Sequence, residues 1–315
     1  MTLKEKFDKS IPSLENYLTM ENGDWTVKGF IDIEKNIYTI STDTKVVSKI
    51  VELMIFPLLL KFAVDNNYTL KLTAHQNYYP DLTLIDNETN KKYAIDLKST
   101  YRIDSDTLNG FTLGAFTGYF RNRNSTKNIT FPYNKYEEHY VLGIIYTRTD
   151  LYNAEKFLIA KNQNNNISKK IKKELSSYLT ENTDNNWEIL KKSAAYINDS
   201  NRNIIDSFII SEKDIYNLDN FTDIQSVVRD FKIFFIEKWK IATDKPGSGN
   251  TKNIGSIKNI NDIINGRGTF SSLENGKTVF DDYWQLYETK DMATSAGRAN
   301  PLFKTLATYQ TWKNR

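Results

Sequence analysis

Two aspartates and one lysine lie at a spacing that could bring them together on one β-hairpin. The stretch 78–100 reads YYPDLTLIDNETNKKYAIDLKST and contains Asp81, Asp96 and Lys98. Alternating side chains place Asp96 and Lys98 on one strand face, and a hairpin of suitable register places Asp81 opposite Asp96. Opposed like charges, about 4.5–5.5 Å apart between Cβ atoms, repel each other, so a positive group must lie between them. The stretch therefore predicts two carboxylates and one ammonium at a single point.

The hairpin is predicted from two apolar-alternating runs, 81–85 and 92–98, on either side of the polar cluster 86–91. Such clusters are typical of turns. If Ile85 pairs with Lys92, the antiparallel register places Asp81 opposite Asp96. A surface hairpin with solvated acids would give the same local pattern.

Paired carboxylates on rigid strands are hard oxygen ligands of the kind that Mg²⁺ prefers, shared with waters and a phosphate. Lys98 could orient or help to deprotonate one of those waters, or stabilise charge that develops on phosphorus. A structural cation site is the alternative for the same acids.

Composition excludes several kinds of chemistry. The chain has no cysteine and two histidines, His75 and His139, so disulfides, thiolate zinc sites and cysteine nucleophiles are excluded and a serine triad is disfavoured. A net charge of +3 permits DNA binding, and Arg121, Arg123 and Lys127, interleaved with hydroxyl and aromatic residues, could contact a phosphate backbone. A helix with a basic outer face is the alternative for that stretch. No apolar run is long enough for a membrane span and the N-terminus lacks a signal-like segment, so a cytoplasmic protein is expected.

Apolar periodicity predicts further elements along the chain. They are a helix within 1–24, a hairpin over 27–40, a helix over 45–63, a buried strand over 141–147, an amphipathic helix around 167–179 and an alternating strand over 231–242. Pro57 should kink the helix over 45–63 or begin a second one.

The stretch 244–257 reads DKPGSGNTKNIGSI and could form a loop that reads DNA bases. Glycines let backbone groups reach base edges, asparagine can bind adenine through two hydrogen bonds, and a threonine methyl can contact thymine. A tight surface turn is the structural alternative. No GKS or GKT follows, which excludes a P-loop.

Three segments together resemble a known family. Pro80-Asp81, fourteen residues and then Asp96-Leu97-Lys98 match the PD-(D/E)xK nuclease signature, while STDTKVVSKIVEL at 41–53 and GSGNT-x-NIGSI at 247–257 resemble its EcoRV-like type II restriction endonucleases. The resemblance implies an α/β (α+β) fold with a mixed central β-sheet flanked by helices and a smaller dimerisation subdomain. Residues 1–150 and 221–315 would form the core, with 25–40 contributing to dimerisation, and 151–220 an insertion that adds dimer or peripheral DNA contacts.

The resemblance also implies roles for individual residues. The catalytic group would be Asp81, Asp96, Lys98 and Glu52, with Mg²⁺, or Mn²⁺ in its place, held by Asp81, Asp96, Glu52 and the carbonyl of Leu97. Base recognition would involve Gly247, Ser248, Gly249, Asn250, Thr251 and Asn77. Contacts to the DNA backbone would come from Gln76, Thr100, Tyr101, Thr117, Lys127 and Asn253. Gly118 stands where the family has a serine, which removes one expected phosphate contact.

The implied activity is Mg²⁺-dependent hydrolysis of double-stranded DNA at a palindrome similar to GATATC, leaving 5′-phosphate and 3′-hydroxyl ends. Two equivalent strands to cut require two equivalent active sites, which a two-fold homodimer supplies. A cognate DNA methyltransferase is expected in the same restriction-modification system, without physical association. The alternatives are a sequence-specific DNA-binding protein that no longer cuts and a PD-(D/E)xK repair or junction nuclease.

Overall fold

The computed structural model describes residues 1–31, 37–40, 43–75, 77–149, 226–247 and 252–315. These residues form two compact units. The first comprises Met1–Tyr17, Ser48–Tyr146 and Phe231–Arg315, and the second includes the described parts of Leu18–Val47 and Thr147–Asp230. None of the described helices combines the length and the apolar character needed to cross a membrane.

The described residues form seven α-helices and ten strands. In chain order they are α1 (Leu3–Leu18), β1 (Gly29–Ile31), β2 (Ile37–Thr39), α2 (Thr44–Asp65), β3 (Tyr68–Leu72), β4 (Leu82–Asp86), β5 (Lys92–Tyr101), β6 (Thr112–Ala115), β7 (Tyr136–Arg148), β8 (Val228–Glu237), α3 (Lys238–Ile241), β9 (Ala242–Pro246), β10 (Asn253–Ser256), α4 (Ile260–Ile264), α5 (Gly276–Leu286), α6 (Lys290–Ser295) and α7 (Leu306–Lys313).

The main sheet has five strands in the order β3-β4-β5-β7-β8. β4 pairs antiparallel with both β3 and β5, whereas β5 and β7 run parallel, so the sheet is mixed as predicted. β7 contains the predicted apolar strand, and its residues from Tyr140 to Tyr146 are buried because the strand lies between two neighbours.

A smaller sheet in the first unit has the order β6-β10-β9 and is antiparallel. β9 and β10 flank the predicted base-reading loop, and Gly247 N donates to the carbonyl of Asn253, 2.9 Å away, at the base of that loop. A Cβ atom on Gly255 would lie 2.8 Å from the carbonyl oxygen of Lys245. Glycine at 255 therefore permits the close approach of the two strands.

Helix α2 buries a stripe at every fourth position, formed by Val47, Val51, Ile55 and Leu59. The prediction that Pro57 could begin a second helix is wrong, because α2 continues through it. Proline at this position frees the carbonyl of Leu53, which is 63% exposed, so water can take the place of the missing N–H group.

One other sequence prediction changes at its end. The strand predicted over 231–242 ends at Glu237, and the one-turn helix α3 follows before β9 begins. The aromatic stretch 280–288, FDDYWQLYE, lies largely in α5, where Phe280, Tyr283 and Trp284 are buried in the main core.

In the second unit, β1 and β2 form the predicted antiparallel pair, with Gly29 opposite Thr39. The turn between them is not among the described residues, and its dimerisation role stays a prediction. Trp25 is fully buried in this unit, and its backbone N–H donates to the carbonyl of Val228. The predicted insertion, with its amphipathic helix, also lies outside the described residues.

Candidate active site

The hairpin β4–β5 has the predicted register. Ile85 pairs with Lys92 and Leu82 with Ile95, so Asp81, the residue immediately before β4, is directed toward Asp96. The turn forms because the Asp86 carboxylate accepts hydrogen bonds from the N–H groups of Glu88 and Thr89 at 3.0 and 2.8 Å. Local sequence thus determines the alignment of the two acids.

Asp81, Asp96 and Lys98 meet at the end of this hairpin. Lys98 Nζ lies 2.9 Å from Asp96 Oδ2 and 3.9 Å from Asp81 Oδ2. Asp81 Oδ2 also accepts a hydrogen bond of 2.7 Å from the N–H of Leu97, which lies between the other two residues. This hydrogen bond from the backbone of β5 to the Asp81 side chain links the two strand ends and orients the Asp81 carboxylate.

The three side chains differ in their exposure to solvent. The Asp96 side chain is 7% exposed, that of Lys98 26% and that of Asp81 38%. Loss of hydration and then the negative charge of Asp96 raise the pKa of Asp81 to about 7. Burial alone would lower the pKa of Lys98, but the two carboxylates outweigh it and the pKa is raised. Lys98 is therefore a cation at neutral pH.

These donors fit a divalent cation. The site offers the carboxylates of Asp81 and Asp96, and the Leu97 carbonyl lies 3.3 Å from Lys98 Nζ as a third oxygen. Among the described residues there is no cluster of three or more acids and histidines. A site of one or two carboxylates completed by water and phosphate oxygens is the type that Mg²⁺ occupies.

Glu52 lies on α2, which approaches the catalytic strand through a 2.5 Å hydrogen bond between the hydroxyls of Ser48 and Ser99. Ser48 is one helical turn before Glu52, so both project from the same face. The Glu52 carboxylate pairs with Lys49 at 2.7 Å, and its charge contributes to the raised pKa of Lys98. The role of Glu52 as an auxiliary acid stays a prediction.

The predicted DNA contacts differ in exposure. Asn77 and Lys127 are exposed, whereas Thr100, on the same strand face as Asp96 and Lys98, is buried. The half-buried residues are Tyr101, Thr117, Gly247 and Asn253. The residues outside the described chain are Gln76, Ser248, Gly249, Asn250 and Thr251.

Two arginines that sequence patterning offered for phosphate contact are engaged within the fold. Arg123 forms an ion pair with Asp281 at 2.9 Å, and Arg121 donates to the carbonyl of Tyr287. Their acceptors lie 158 and 166 positions away along the chain. Composition near the arginines could not reveal these partners.

Lys238 also lies near the site and was not predicted from the sequence. It is 1% exposed, and its Nζ lies 5.2 Å from the centre of the Tyr79 ring and 5.5 Å from that of the Phe120 ring. Tyr79 stands two residues before Asp81, and its hydroxyl is hydrogen-bonded to His139 Nδ1 at 2.9 Å. The only available signal was a lysine within the apolar run that spans the end of β8 and α3.

Two comparisons with known proteins point to one family. The family model described as restriction endonuclease EcoRV matches residues 21–209 and 177–314. The type II restriction enzyme EcoRV of Escherichia coli is 33% identical over 301 residues, which cover 95% of each chain. With a PD-(D/E)xK hairpin assembled on a mixed sheet and a family match along nearly its whole length, the chain belongs to the EcoRV family of type II restriction endonucleases.

Proposed function

We propose that this restriction endonuclease cleaves double-stranded DNA at a palindrome similar to GATATC, in a Mg²⁺-dependent reaction carried by Asp81, Asp96 and Lys98. The observation that supports it most directly is the convergence of these side chains, with Lys98 Nζ 2.9 Å from Asp96 and 3.9 Å from Asp81. Sequence-specific binding alone does not require two acids and a lysine at one point.

In the proposed reaction a water oxygen attacks phosphorus in line with the 3′ oxygen, and the bond between phosphorus and that oxygen breaks. The attacking water loses a proton and the leaving 3′ oxygen gains one, so the products carry a 5′-phosphate and a 3′-hydroxyl. Lys98, protonated at neutral pH, orients the water and stabilises negative charge on the phosphoryl oxygens. Its raised pKa argues against the alternative role as the base.

Asp81, Asp96 and the Leu97 carbonyl would hold the cation, with Glu52 as an outer acid. A bound Mg²⁺ would supply Lewis-acid stabilisation of the charge that develops on phosphate and leaving oxygen. The N–H of Leu97 and the ammonium of Lys98 orient the carboxylates toward the site, which reduces the reorganisation needed during the reaction.

The segment 247–251 between β9 and β10, together with Asn77, is the proposed base-reading element. Its family likeness supports a target similar to GATATC, whose central TA step bends easily and can add specificity through deformation. Gln76, Thr100, Tyr101, Thr117, Lys127 and Asn253 would contact the DNA backbone.

The proposed assembly is a two-fold homodimer that acts on DNA in the cytoplasm. Residues 25–40 are the proposed dimerisation element, and 151–220 are proposed to add dimer or peripheral DNA contacts. A methyltransferase of the same specificity would protect host DNA without binding this chain.

The test is digestion of long unmethylated duplex DNA with Mg²⁺, followed by sequencing of all fragment ends. Ends at one palindrome, with 5′-phosphates, support the proposal, and the same ends with Mn²⁺ would support substitution of the metal. Ends at a different palindrome would reject the GATATC-like target, and ends without a common sequence would reject site-specific cleavage. Methylation of the cleaved sequence should block the reaction.

A further inference from the structure

Lys238 carries a buried ammonium group whose cost to stability suggests a functional role. Its side chain is enclosed in the core, and its Nζ has no hydrogen-bond partner among the described residues. Burying a charge without a partner costs stability, and such costs are concentrated at functional sites. Its chemical surroundings therefore indicate what the charge does.

Three segments enclose the ammonium. The Tyr79 and Phe120 rings lie at 5.2 and 5.5 Å, which is within the range of cation–π attraction. From the third side comes Gly114, whose φ is +86° and on which a Cβ atom would lie 3.5 Å from Nζ and 3.4 Å from the Tyr119 hydroxyl. Gly114 belongs to β6, the strand that pairs with β10 beside the proposed base-reading loop.

The Tyr79 ring connects the ammonium to the acid pair. Tyr79 is fixed by its hydrogen bond to His139 and by stacking on Tyr119 at 5.0 Å between ring centroids. One residue separates it from Asp81, so the position of its backbone determines where Asp81 enters the site. An ammonium held under this ring supports the start of the catalytic hairpin from within the core.

The charge also acts on the carboxylates themselves. Burial lowers the pKa of Lys238 to about 8, and Asp96 is the strongest acidic influence that opposes this decrease. Lys238 is therefore mostly protonated at neutral pH, as a second cation close enough to Asp96 to interact with it. Unlike Lys98, it cannot approach substrate, because it is enclosed.

We propose that Lys238 is a positioning residue for the cleavage reaction: its buried ammonium anchors the Tyr79 ring and supplies a fixed positive charge behind the Asp81–Asp96 pair. This inference rests on the proposed function of that pair. The residue touches neither DNA nor the reacting atoms. Its effect passes through Tyr79 and through the electrostatic field at Asp96.

The test is Lys238→Met, which removes the charge and nearly keeps the volume. We expect the single-turnover cleavage rate constant to fall at least about tenfold, while site-specific DNA binding in Ca²⁺ stays within about threefold. The melting temperature should be unchanged or higher, because an unpaired buried charge is removed. A rate within about twofold of the unsubstituted protein, with the fold intact, would overturn the proposal.

Lys277→Met is the matched control. Lys277 lines the same cavity of about 250 Å³ as Lys238, but it is paired with Glu138 at 2.7 Å and is not enclosed. Its cleavage rate should not change. A comparable loss of rate in both variants would attribute the effect to the cavity and contradict a specific role for Lys238.

If Lys238→Met does not fold, Lys238→Arg and Lys238→Gln replace it, since both are long and polar but only arginine is charged. Retention of more activity by the arginine variant supports the role of charge, and equal activities overturn it. The unsubstituted protein is assayed in the same series. If it fails to cleave, the proposed function fails, whereas normal cleavage by both it and Lys238→Met rejects this inference alone.

Discussion

Binding of a divalent cation to the metal-free protein should release protons in the neutral pH range. The site brings Asp81 beside Asp96 with one ammonium between them, and the pKa of Asp81 is about 7 instead of 3.8. A metal ligand must be ionised, so binding displaces the proton that Asp81 still carries. With this pKa, about 0.9 proton should be released per ion at pH 6, about 0.5 at pH 7 and about 0.1 at pH 8.

Isothermal titration calorimetry with Ca²⁺, which avoids turnover, measures this release when each titration is repeated in two buffers of different ionisation heat. Apparent metal affinity should rise about tenfold per pH unit below 7 and level off above it. Cleavage at subsaturating Mg²⁺ should follow the same curve. Asp81→Asn is the control, because it has no proton to release in this range.

A second variant tests the electrostatic cause. The ammonium of Lys98 lowers the pKa of Asp81, so Lys98→Met should raise that pKa further and move proton release to higher pH. Absence of proton release from the unsubstituted protein between pH 6 and 8 would contradict this expectation. Asp81 would then have an ordinary carboxyl pKa, and neither its loss of hydration nor the charge of Asp96 would raise that pKa appreciably.

Three further substitutions test separate parts of the proposal. Asp96→Ala should abolish cleavage in Mg²⁺ yet leave site-specific binding measurable by mobility shift in Ca²⁺, and normal cutting would contradict the metal assignment. Asn250→Ala should weaken binding to the cognate site by about 1–3 kcal/mol relative to a mutated site, with little effect on salt-dependent background binding. Uniform weakening of all DNA would contradict its role in base recognition. Gly255→Ala should destabilise the protein by about 1–3 kcal/mol in urea unfolding, because its Cβ would lie 2.8 Å from the carbonyl oxygen of Lys245. An unchanged midpoint would mean that the two strands can separate without cost.

The central part of the site follows from local sequence. Asp81, Asp96 and Lys98 belong to one hairpin, and a polar turn between two alternating runs is enough to predict which residues oppose each other. The likeness of the segments at 41–53 and 247–257 to the EcoRV-like enzymes added the family, and the family match agrees with it. The mixed sheet was predicted through the same resemblance.

Local patterns were less informative wherever a residue's surroundings come from distant segments. Pro57 was expected to kink a helix or begin a second one, but α2 continues through it, and Leu53, whose carbonyl it leaves free, is an exposed residue. Arg123 was a candidate for phosphate contact, but Asp281 from α5 takes its charge. Neither outcome depends on the neighbouring residues along the chain.

The identity and spacing of the residues are enough to predict the chemistry of the site: two acids, a lysine, a hairpin register and a family. Packing in three dimensions adds that Leu97 donates to Asp81, that Asp96 is buried while Asp81 is accessible, and that Lys238 lies enclosed beneath Tyr79. A strand's register depends on short-range alternation and turn geometry, which are local properties of the chain. Burial and charge environment depend instead on which remote elements pack together, and Lys238 of α3 lies more than 100 residues along the chain from Tyr79 and from Gly114 of β6, which enclose it.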